Sequence, residues 1–258
     1  MISNLDKDTV SLVVTSCKRH DLLYQTLNSF VEYNTYPLNQ VIIVEDSDIA
    51  IVDEDISRIF KCISNNLYLN TKFIIVNNGV NLGQMKSIDK AYALVNSKYI
   101  FHCEDDWEFY RKEFIEKSMV ILKENKDIFT VWLRAYDDLN GHTVSKIYES
   151  GDIKFRRLNK MGIWTGFTLN PGLRLTENCL RYGPYSEQEK LDPSLSKTTV
   201  AESDLAIKYA NEGYVGAVTT YHDGFVKHSG FGHHISNPWE NKVIVKLKNF
   251  IRRIYGKI

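Results

Sequence analysis

Three consecutive carboxylates, Glu104, Asp105 and Asp106, follow a run of aromatic and β-branched residues at 99–103. Such a run is typical of a buried strand, whereas an apolar core does not accept three adjacent acids. We therefore expect the acids at the end of the strand, in a cleft. Because like charges repel, this grouping favours a bound Mg²⁺ or Mn²⁺ that holds a phosphorylated substrate. Taken alone, the same tripeptide is also typical of an acidic turn in water.

Three further apolar segments, at residues 10–14, 41–44 and 73–76, are predicted strands. Segments with apolar residues at helical spacing follow the first and the third of them. This alternation is typical of a parallel sheet that is covered by helices on both faces. The sequence therefore predicts an α/β fold with a mixed, mainly parallel sheet flanked by helices.

Polar residues follow these strands at the ends where open parallel sheets bind their ligands. The first strand leads into a polar turn at 15–19, the second ends at Glu45 and Asp46, and the third leads into an Asn/Gly-rich loop at 77–83. Such a convergence would be an unusual coincidence in a purely structural protein. It favours a functional crevice over an acidic surface turn.

The second half of the chain is less regular. A helix is predicted at residues 111–124 and strands at 129–133 and 215–219, whereas residues 137–157 are predicted to form loops and short strands. The polar segment 177–199, which contains two prolines, is expected to be a mobile loop.

Two features of this half fit either a site or an ordinary structural role. Trp164 lies in a strand-like, glycine-containing segment at 161–172, and it is either a core residue or a platform for a sugar ring. Glu202 and Asp204 lie near the predicted start of a helix that ends at Gly213. Favourable interaction with the helix dipole is the simplest explanation of these two acids.

Four of the seven histidines fall within residues 222–234. Imidazole suits Mn²⁺ and also phosphate contacts, and Lys227 and His228 are the favoured pair. The spacing does not match a closed zinc site. The four histidines are His222, His228, His233 and His234.

Composition restricts the classes of partner and location. The 32 basic and 32 acidic residues balance, which argues against a nucleic-acid partner, and four cysteines without a C-x-x-C pair favour a reduced, intracellular protein. The polar first ten residues argue against a signal peptide, and no apolar run reaches the roughly 20 residues of a membrane span. We therefore expect a cytoplasmic protein, soluble or peripheral at the cytosolic face of a membrane.

The C-terminal segment 241–258 carries several basic residues and no acid, and its apolar residues fall on one face of a helix. Such a basic amphipathic helix is expected to lie on an anionic membrane surface. The alternative is a terminal helix that packs on the domain and keeps its basic face in water.

The order of these motifs, over about residues 10–230, resembles the inverting GT-A glycosyltransferases of family 2. The turn at 15–19 resembles the family's nucleotide-contacting turn, and it keeps the arginine at Arg19. Glu45 and Asp46 resemble the segment that holds the base and the ribose, and residues 81–83 match an Asn-x-Gly turn. Residues 104–106 resemble the Asp-x-Asp metal signature, with Glu104 in place of the first Asp.

The later motifs agree with this resemblance. Residues 201–205, followed by Gly213 and Tyr214, are similar to the helix that carries the family's catalytic base, although Ala201 replaces the first acid. His228 stands where family members often have a histidine near the metal.

The resemblance implies a GT-A domain over residues 1–240, with a nucleotide-sugar half (1–107) and an acceptor half (108–240). It implies transfer of a sugar from a nucleotide diphospho-sugar, with UDP the commonest carrier, to a hydroxyl of a glycan, glycolipid or other acceptor. Glu202 would be the general base. The loop at 177–199 would close over the donor.

The site residues that the resemblance implies fall into three groups. A Mn²⁺ or Mg²⁺ ion would be held mainly by Asp106, with Glu104 and His228 as partners. Asp105 is either a donor contact or only a solvated neighbour. The donor contacts would be Thr15, Ser16, Cys17, Arg19, Glu45, Asp46, Asn81, Gly83, Lys86, Glu104 and Asp105. The residues that would shape the acceptor side are Trp107, Trp164 and Asp204.

Two other classes of protein remain open at this point. A nucleotidyltransferase could share the fold and the metal carboxylates, but the turn at 15–19 lacks the glycines that such enzymes usually have. A non-catalytic sugar-binding protein would have no reason to keep both Asp106 and Glu202.

Overall fold

A computed structural model of the protein describes residues 8–62, 66–188 and 197–230. Short 3₁₀ turns lie at Asn66–Tyr68, Tyr136–Asp138 and Tyr185–Gln188. The strands are β1 (Val10–Ser16), β2 (Gln40–Glu45), β3 (Lys72–Asn77), β4 (Tyr99–Glu104), β5 (Trp107–Phe109), β6 (Ile128–Trp132), β7 (Val144–Ser150), β8 (Ile153–Leu158), β9 (Gly172–Leu175), β10 (Val215–Thr219) and β11 (Val226–His228). The helices are α1 (His20–Tyr33), α2 (Asp53–Cys62), α3 (Gln84–Ala93), α4 (Phe114–Glu124), α5 (Thr176–Leu180) and α6 (Lys197–Asn211).

The main sheet has five strands in the order β3-β2-β1-β4-β9. The first four strands are parallel, and β9 is antiparallel to β4. Successive side chains of a strand point to opposite faces. Leu12 and Val14 of β1 therefore pack in the same core as Leu27 of α1, whereas Val13 packs in the core that contains Ile88 of α3. This arrangement confirms the predicted α/β fold with helices on both faces of a mainly parallel sheet.

Two smaller sheets complete the fold. One has the order β6-β10-β8-β7, and the other pairs β11 with β5. The first of them lies against the main sheet where the Thr130 hydroxyl donates a hydrogen bond to the Leu173 carbonyl over 3.1 Å. A Cβ on Gly172 would lie 2.6 Å from the Thr130 hydroxyl oxygen, so this close approach requires a glycine.

The pairing of β5 with β11 joins distant parts of the sequence. It sets His228 opposite Trp107, directly after the three consecutive acids. The backbone N–H of Ser229 also donates to the Asp106 carbonyl over 2.8 Å. The end of β4 is therefore held from the side by a strand more than one hundred residues further along the chain.

Two local predictions for the second half, at 161–172 and 177–199, were wrong. Residues 144–158 form a hairpin of β7 and β8 whose register shifts between Val144 and Ile147, in agreement with the predicted loops and short strands. The segment at 161–172, by contrast, is mostly loop, with a single bridge between Met161 and Trp164. The expected loop at 177–199 contains most of α5, a 3₁₀ turn and the start of α6. The 3₁₀ turn is anchored by a contact that the polar composition does not indicate, since Tyr185 is buried and its backbone N–H donates to the Asp89 carboxylate over 2.5 Å.

The start of α6 also changes the interpretation of its acids. Because the helix begins at Lys197, its first turn contains no acid, and Glu202 lies in the second turn. The expected role of Glu202 and Asp204 as residues near the helix start is therefore wrong. The dipole effect is confined to the first turn, so it does not account for the position of Glu202.

Among the described residues, the longest and most apolar helices are still too short or too polar to cross a membrane. The predicted basic helix at 241–258 lies outside the described residues, as do His233 and His234.

Phe30 packs α1 against a cluster of aromatic rings, and replacing it tests this packing. Its ring is 1% exposed and lies 5.2–5.5 Å from the ring centres of Phe101, Phe109 and Phe114. We predict that Phe30→Ala lowers the free energy of unfolding by about 3–5 kcal/mol. Leu69→Ala, at a side chain that is 75% exposed, is the control and should change it by less than about 0.5 kcal/mol. Urea denaturation measures both, and equal effects would contradict the packing.

Candidate active site

The carboxyl ends of β1, β2, β3 and β4 lie at one edge of the main sheet, as expected for parallel strands. A cavity of about 360 Å³, here called the strand-end cavity, opens at this edge. This is the place where open α/β sheets bind their ligands. The lining residues are Thr15, Ser16, Cys17, Arg19, Asp46, Asn81, Gly83, Gln84, Ser87, Glu104, Asp105, Asp106 and His228.

Arg19 is the cation that compensates the acidic run. Its guanidinium group contacts both carboxylate oxygens of Asp105, through Nη2 and, over 3.2 Å, through Nε. Its Nη1 donates to Oδ2 of Asp106 over 2.8 Å. Burial raises the pKa of Asp105 to about 6, although the charge of Arg19 acts in the opposite direction. Asp105 is fully buried, so the interpretation of it as a solvated neighbour is wrong.

Asp106 is held by Arg19 and His228, and one of its oxygens accepts no hydrogen bond from a described residue. His228 Nε2 lies 3.2 Å from Oδ2, the oxygen that also contacts Arg19. Burial raises the pKa of Asp106, but the hydrogen bond from His228 and the charge of Arg19 outweigh it and hold the pKa below its ordinary value. The same hydrogen bond raises the pKa of His228. The other oxygen, Oδ1, is buried and accepts no hydrogen bond from a described residue.

Glu104, the third acid, is compensated by neutral donors. The Gln84 side-chain amide donates to Oε1 over 2.6 Å, and the Trp107 indole N–H lies 3.4 Å from Oε2. Burial, followed by the charges of Asp106 and Glu202, raises the pKa of Glu104 from 4.5 to about 7. Glu104 therefore lies within electrostatic reach of Glu202, which comes from the other half of the chain.

Glu45 and Asp46 fix the loops around the strand-end cavity. The Asp46 carboxylate accepts hydrogen bonds from the backbone N–H groups of Leu82 and Gly83 over 2.7 and 2.8 Å, and so holds the loop before α3. Gly83 has φ of +97°, a conformation that favours glycine. Glu45 is fully buried behind the cavity, where it accepts a hydrogen bond from the Lys18 backbone N–H over 2.8 Å. This bond stabilises the turn that carries Arg19.

A second cavity of about 350 Å³, here called the Trp164 cavity, lies beside Glu202. Glu202 accepts a hydrogen bond from the Leu169 backbone N–H over 3.1 Å. Burial raises the pKa of Glu202, while this hydrogen bond and the charge of Arg174 partly offset the effect. The lining residues are Asn140, Ile163, Trp164, Phe167, Thr168, Asn170, Glu202, Ser203, Ala206 and Ile207.

The remaining site residues predicted from the sequence differ in how far they are buried. Lys86 is exposed on α3, and Asp204 is half-buried on α6. Trp107 is 2% exposed and packs behind the acids, with its ring centre 5.0 Å from that of His228. His222 is stacked on Tyr136, with ring centres 4.4 Å apart.

Sequence reasoning did not select Gln84, Ser87 or Asn170 as site residues. Gln84 directly follows the Asn-x-Gly turn, and Ser87 lies one helical turn further on, so their position at the start of α3 was the available signal. Asn170 lies in an irregular loop, and no sequence pattern indicates that it faces Glu202.

The donor set at the strand-end cavity fits a divalent ion. Carboxylate oxygen and imidazole nitrogen are ligands that Mn²⁺ accepts. Oδ1 of Asp106 is buried and has no hydrogen-bond partner among the described residues, so a bound ion would satisfy it. In the described part of the chain, no three His, Cys, Asp or Glu side chains already converge as a metal site. Mg²⁺ and Mn²⁺ sites often use only one or two carboxylates and take further ligands from substrate phosphates and water.

Comparison with known proteins agrees with this fold. The computed structure is similar to TarS from S. aureus (residues 1–349), with a TM-score of 0.52 and 15% identity, over 86% of this chain and 60% of TarS. It is also similar to the mannosyltransferase PcManGT from Pyrobaculum calidifontis, crystallised with GDP-Man and Mn²⁺, with a TM-score of 0.54 and 13% identity, over 80% of this chain and 53% of that one. The fold is thus of the GT-A type. The chain spans about three fifths or less of the length of these proteins.

The sequence itself identifies the family. The model for glycosyl transferase family 2 matches residues 11–174, which include the strand-end cavity up to Asp106. No curated protein gives a significant match to the sequence. The chain belongs to glycosyl transferase family 2, which confirms the resemblance of its motifs.

Gly230 positions the Asp106 carboxylate, which gives a test of the site geometry. A Cβ at Gly230 would lie 2.3 Å from Oδ2 of Asp106, so a methyl group must displace that carboxylate. We predict that Gly230→Ala weakens the pair of Asp106 and His228 and lowers the pKa of His228 toward 6.5. Titration of the His228 ring by NMR in the presence of EDTA measures this shift.

Gly183→Ala is the control, because a Cβ there meets nothing closer than 3.5 Å and the pKa of His228 should not change. An unchanged His228 pKa in Gly230→Ala would contradict the described contact.

Proposed function

We propose that this protein is a metal-dependent, inverting glycosyltransferase that moves a sugar from a nucleotide diphospho-sugar to a hydroxyl group of a glycan, lipid-linked or other acceptor. Residues 1–107 would form the donor half and residues 108–240 the acceptor half of one domain. Membership of family 2 supports the type of reaction. The two cavities supply one site for each substrate.

The observation that carries the proposal is that Glu202 lines one cavity and lies within electrostatic reach of an acid that lines the other. Glu202 lines the Trp164 cavity, and its charge raises the pKa of Glu104, which lines the strand-end cavity. A base that acts between a donor and an acceptor needs to reach both substrates. A scaffold that only binds nucleotides would not require a half-buried carboxylate at this place.

We assign the donor to the strand-end cavity. Its volume of about 360 Å³ and its polar lining suit a nucleotide diphosphate, and Thr15, Asp46 and Asn81 lie where a base and ribose would approach the strand ends. UDP is the proposed carrier on its frequency in the family, and a TarS structure similar to this one, with a TM-score of 0.50, contains UDP-GlcNAc. GDP, which PcManGT binds as GDP-Man, is the alternative.

The unbonded Oδ1 of Asp106 would hold the divalent ion, with His228 and Glu104 as neighbouring ligands. When bound, Mn²⁺ or Mg²⁺ would act as a Lewis acid that offsets the charge of the leaving nucleoside diphosphate. Arg19 keeps Asp106 charged and oriented for this role, because it contacts only the other oxygen of that carboxylate.

Glu202 would act as the general base. Its carboxylate takes the proton of the acceptor hydroxyl as the hydroxyl oxygen attacks the anomeric carbon from the face opposite the diphosphate. The bond between the anomeric carbon and the diphosphate oxygen breaks, so the products are an inverted glycoside, a nucleoside diphosphate and protonated Glu202. The raised pKa of Glu202 makes it a better proton acceptor than an exposed glutamate.

We further propose that the basic segment 241–258 brings the domain to an anionic membrane surface. Its cations without acids and its apolar face support this proposal. A lipid-linked acceptor would then be within reach of the domain.

Replacement of the proposed base tests the function. The donor and the acceptor are first identified by screening UDP- and GDP-sugars with Mn²⁺. With these substrates, we predict that Glu202→Gln lowers kcat about 10²–10⁴-fold and leaves the Kd of the donor unchanged. Because a base works deprotonated, activity of the wild type should fall as pH falls through the pKa of Glu202. Burial places that acid limb above pH 4.5, and the limb should be absent in Glu202→Gln.

Glu212→Gln is the matched control, since Glu212 is exposed just beyond α6 and pairs with Arg181. Its kcat and pH profile should equal those of the wild type. The proposal fails if Glu202→Gln keeps full kcat, if the released product is inorganic diphosphate as in a nucleotidyltransferase, or if the protein binds nucleotide-sugars without transfer to any acceptor.

A further inference from the structure

The Trp164 cavity has a chemical character that restricts the acceptor. We propose that it binds an uncharged sugar ring of the acceptor, and that a group bearing a phosphate or a carboxylate is excluded from it. This inference rests on the proposed function, because it names the class of substrate that meets Glu202. The argument uses the position, the walls, the polar groups and the charge of the cavity.

One wall of the cavity is a fixed aromatic surface. The Trp164 indole N–H donates to the Phe167 carbonyl over 2.6 Å, and the ring centre of His142 lies 4.3 Å from that of Trp164. An indole that is held in this way needs no ordering when a ligand binds. Phe167 and the 60% exposed side chain of Ile163 extend the apolar surface. Such a surface suits the C–H face of a pyranose ring.

The other side of the cavity offers groups that hydrogen-bond to neutral hydroxyls. Asn140 and Asn170 are both lining residues, and each has a side-chain amide. The loop that carries Asn170 is rigidly held, because Arg174 donates to the carbonyls of Thr168 and Asn170 over 2.7 Å each. An amide offers both a donor and an acceptor, which is what a sugar hydroxyl requires.

The charge of the cavity argues against an anionic ligand. Of its described lining residues, Glu202 is the one ionisable side chain, and it is acidic in the state that acts as a base. Arg174, whose charge acts on Glu202, is 1% exposed, donates through Nη2 to backbone carbonyls and is not among the lining residues. A phosphate or carboxylate placed here would face the carboxylate of Glu202, and none of the described lining residues carries a positive charge. Such an arrangement is costly away from water.

A hydrocarbon chain is also a poor occupant. It would fill the surface formed by Trp164 and Ile163, but it would leave the amide of Asn170, which is half-buried, without a partner. Leaving a buried polar group without a hydrogen bond costs more free energy than a typical hydrogen bond contributes to stability. A lipid portion of the acceptor would therefore lie outside this cavity.

Ligand-observed NMR on the full chain tests the inference without requiring turnover. The probes are methyl glycosides of glucose, galactose, mannose and N-acetylglucosamine, with methyl glucuronoside, methyl galacturonoside and mannose 6-phosphate as charged counterparts. We expect saturation transfer to at least one neutral glycoside and at least about tenfold weaker binding of its charged counterpart. Octyl alcohol serves as the lipid-like probe and should not compete with the glycoside.

Two variants place the binding in the Trp164 cavity. Asn170→Ala removes one hydrogen-bonding group and should weaken binding of the neutral glycoside about fivefold. Ile163→Ala should weaken it too, and its matched control is Ile147→Ala, an isoleucine on β7 that is 45% exposed and does not line the cavity. Both isoleucines are exposed, so neither variant should alter folding.

The inference is overturned if no neutral glycoside binds, if a charged counterpart binds as tightly, or if Ile163→Ala and Asn170→Ala bind as the wild type does. If the neutral glycoside binds in the cavity but the protein transfers no sugar, the proposed function is contradicted and this inference stands. Transfer to an acceptor whose reacting group carries a phosphate or carboxylate would confirm the function and overturn the inference.

Discussion

The pairing of Arg19 with Asp105 and Asp106 is the interaction on which the site depends. Three adjacent carboxylates at the end of a buried strand repel one another, and the fold tolerates them because Arg19 neutralises two of them and neutral donors hold the third. Arg19 contacts both oxygens of Asp105 and one oxygen of Asp106. The guanidinium is itself held in place through the turn at 17–19, whose Lys18 N–H is bound by the buried Glu45. Removing one partner of such a buried pair costs about 3–5 kcal/mol, since the other charge stays buried.

This pairing divides the work among the acids. Both carboxylate oxygens of Asp105 contact the Arg19 guanidinium, so the main role of Asp105 is to stabilise the strand end. Asp106 keeps one buried oxygen, Oδ1, that no described residue bonds. Glu104 is held by neutral donors and lies within electrostatic reach of Glu202. One end of β4 therefore carries both the proposed metal ligand, Asp106, and an acid that lies within electrostatic reach of the proposed base.

The sequence was sufficient for the parts of the structure that depend on local pattern. Continuous apolar strands such as 10–14 and 41–44 predicted the parallel sheet, and polar residues after those strands predicted where the crevice lies. Contacts between residues distant in sequence could not be predicted, because no local pattern encodes the pairing of Arg19 with Asp105 or of His228 with Asp106. The hydrogen bond from the Tyr185 backbone to Asp89, which holds the 3₁₀ turn in the expected loop, also joins distant residues and was not predicted. The start of α6 at Lys197 likewise changed the interpretation of Glu202.

The central claim is that Arg19 leaves one oxygen of Asp106 available for a divalent ion that binds the donor diphosphate. Calorimetric titration of UDP and GDP, with Mn²⁺ and with EDTA, into wild type and Asp106→Asn tests it most directly. We predict that Mn²⁺ tightens nucleotide binding by the wild type at least about tenfold and has no effect on a folded Asp106→Asn. An equal gain from Mn²⁺ in both proteins would contradict the account, because the ion would then be bound without Asp106.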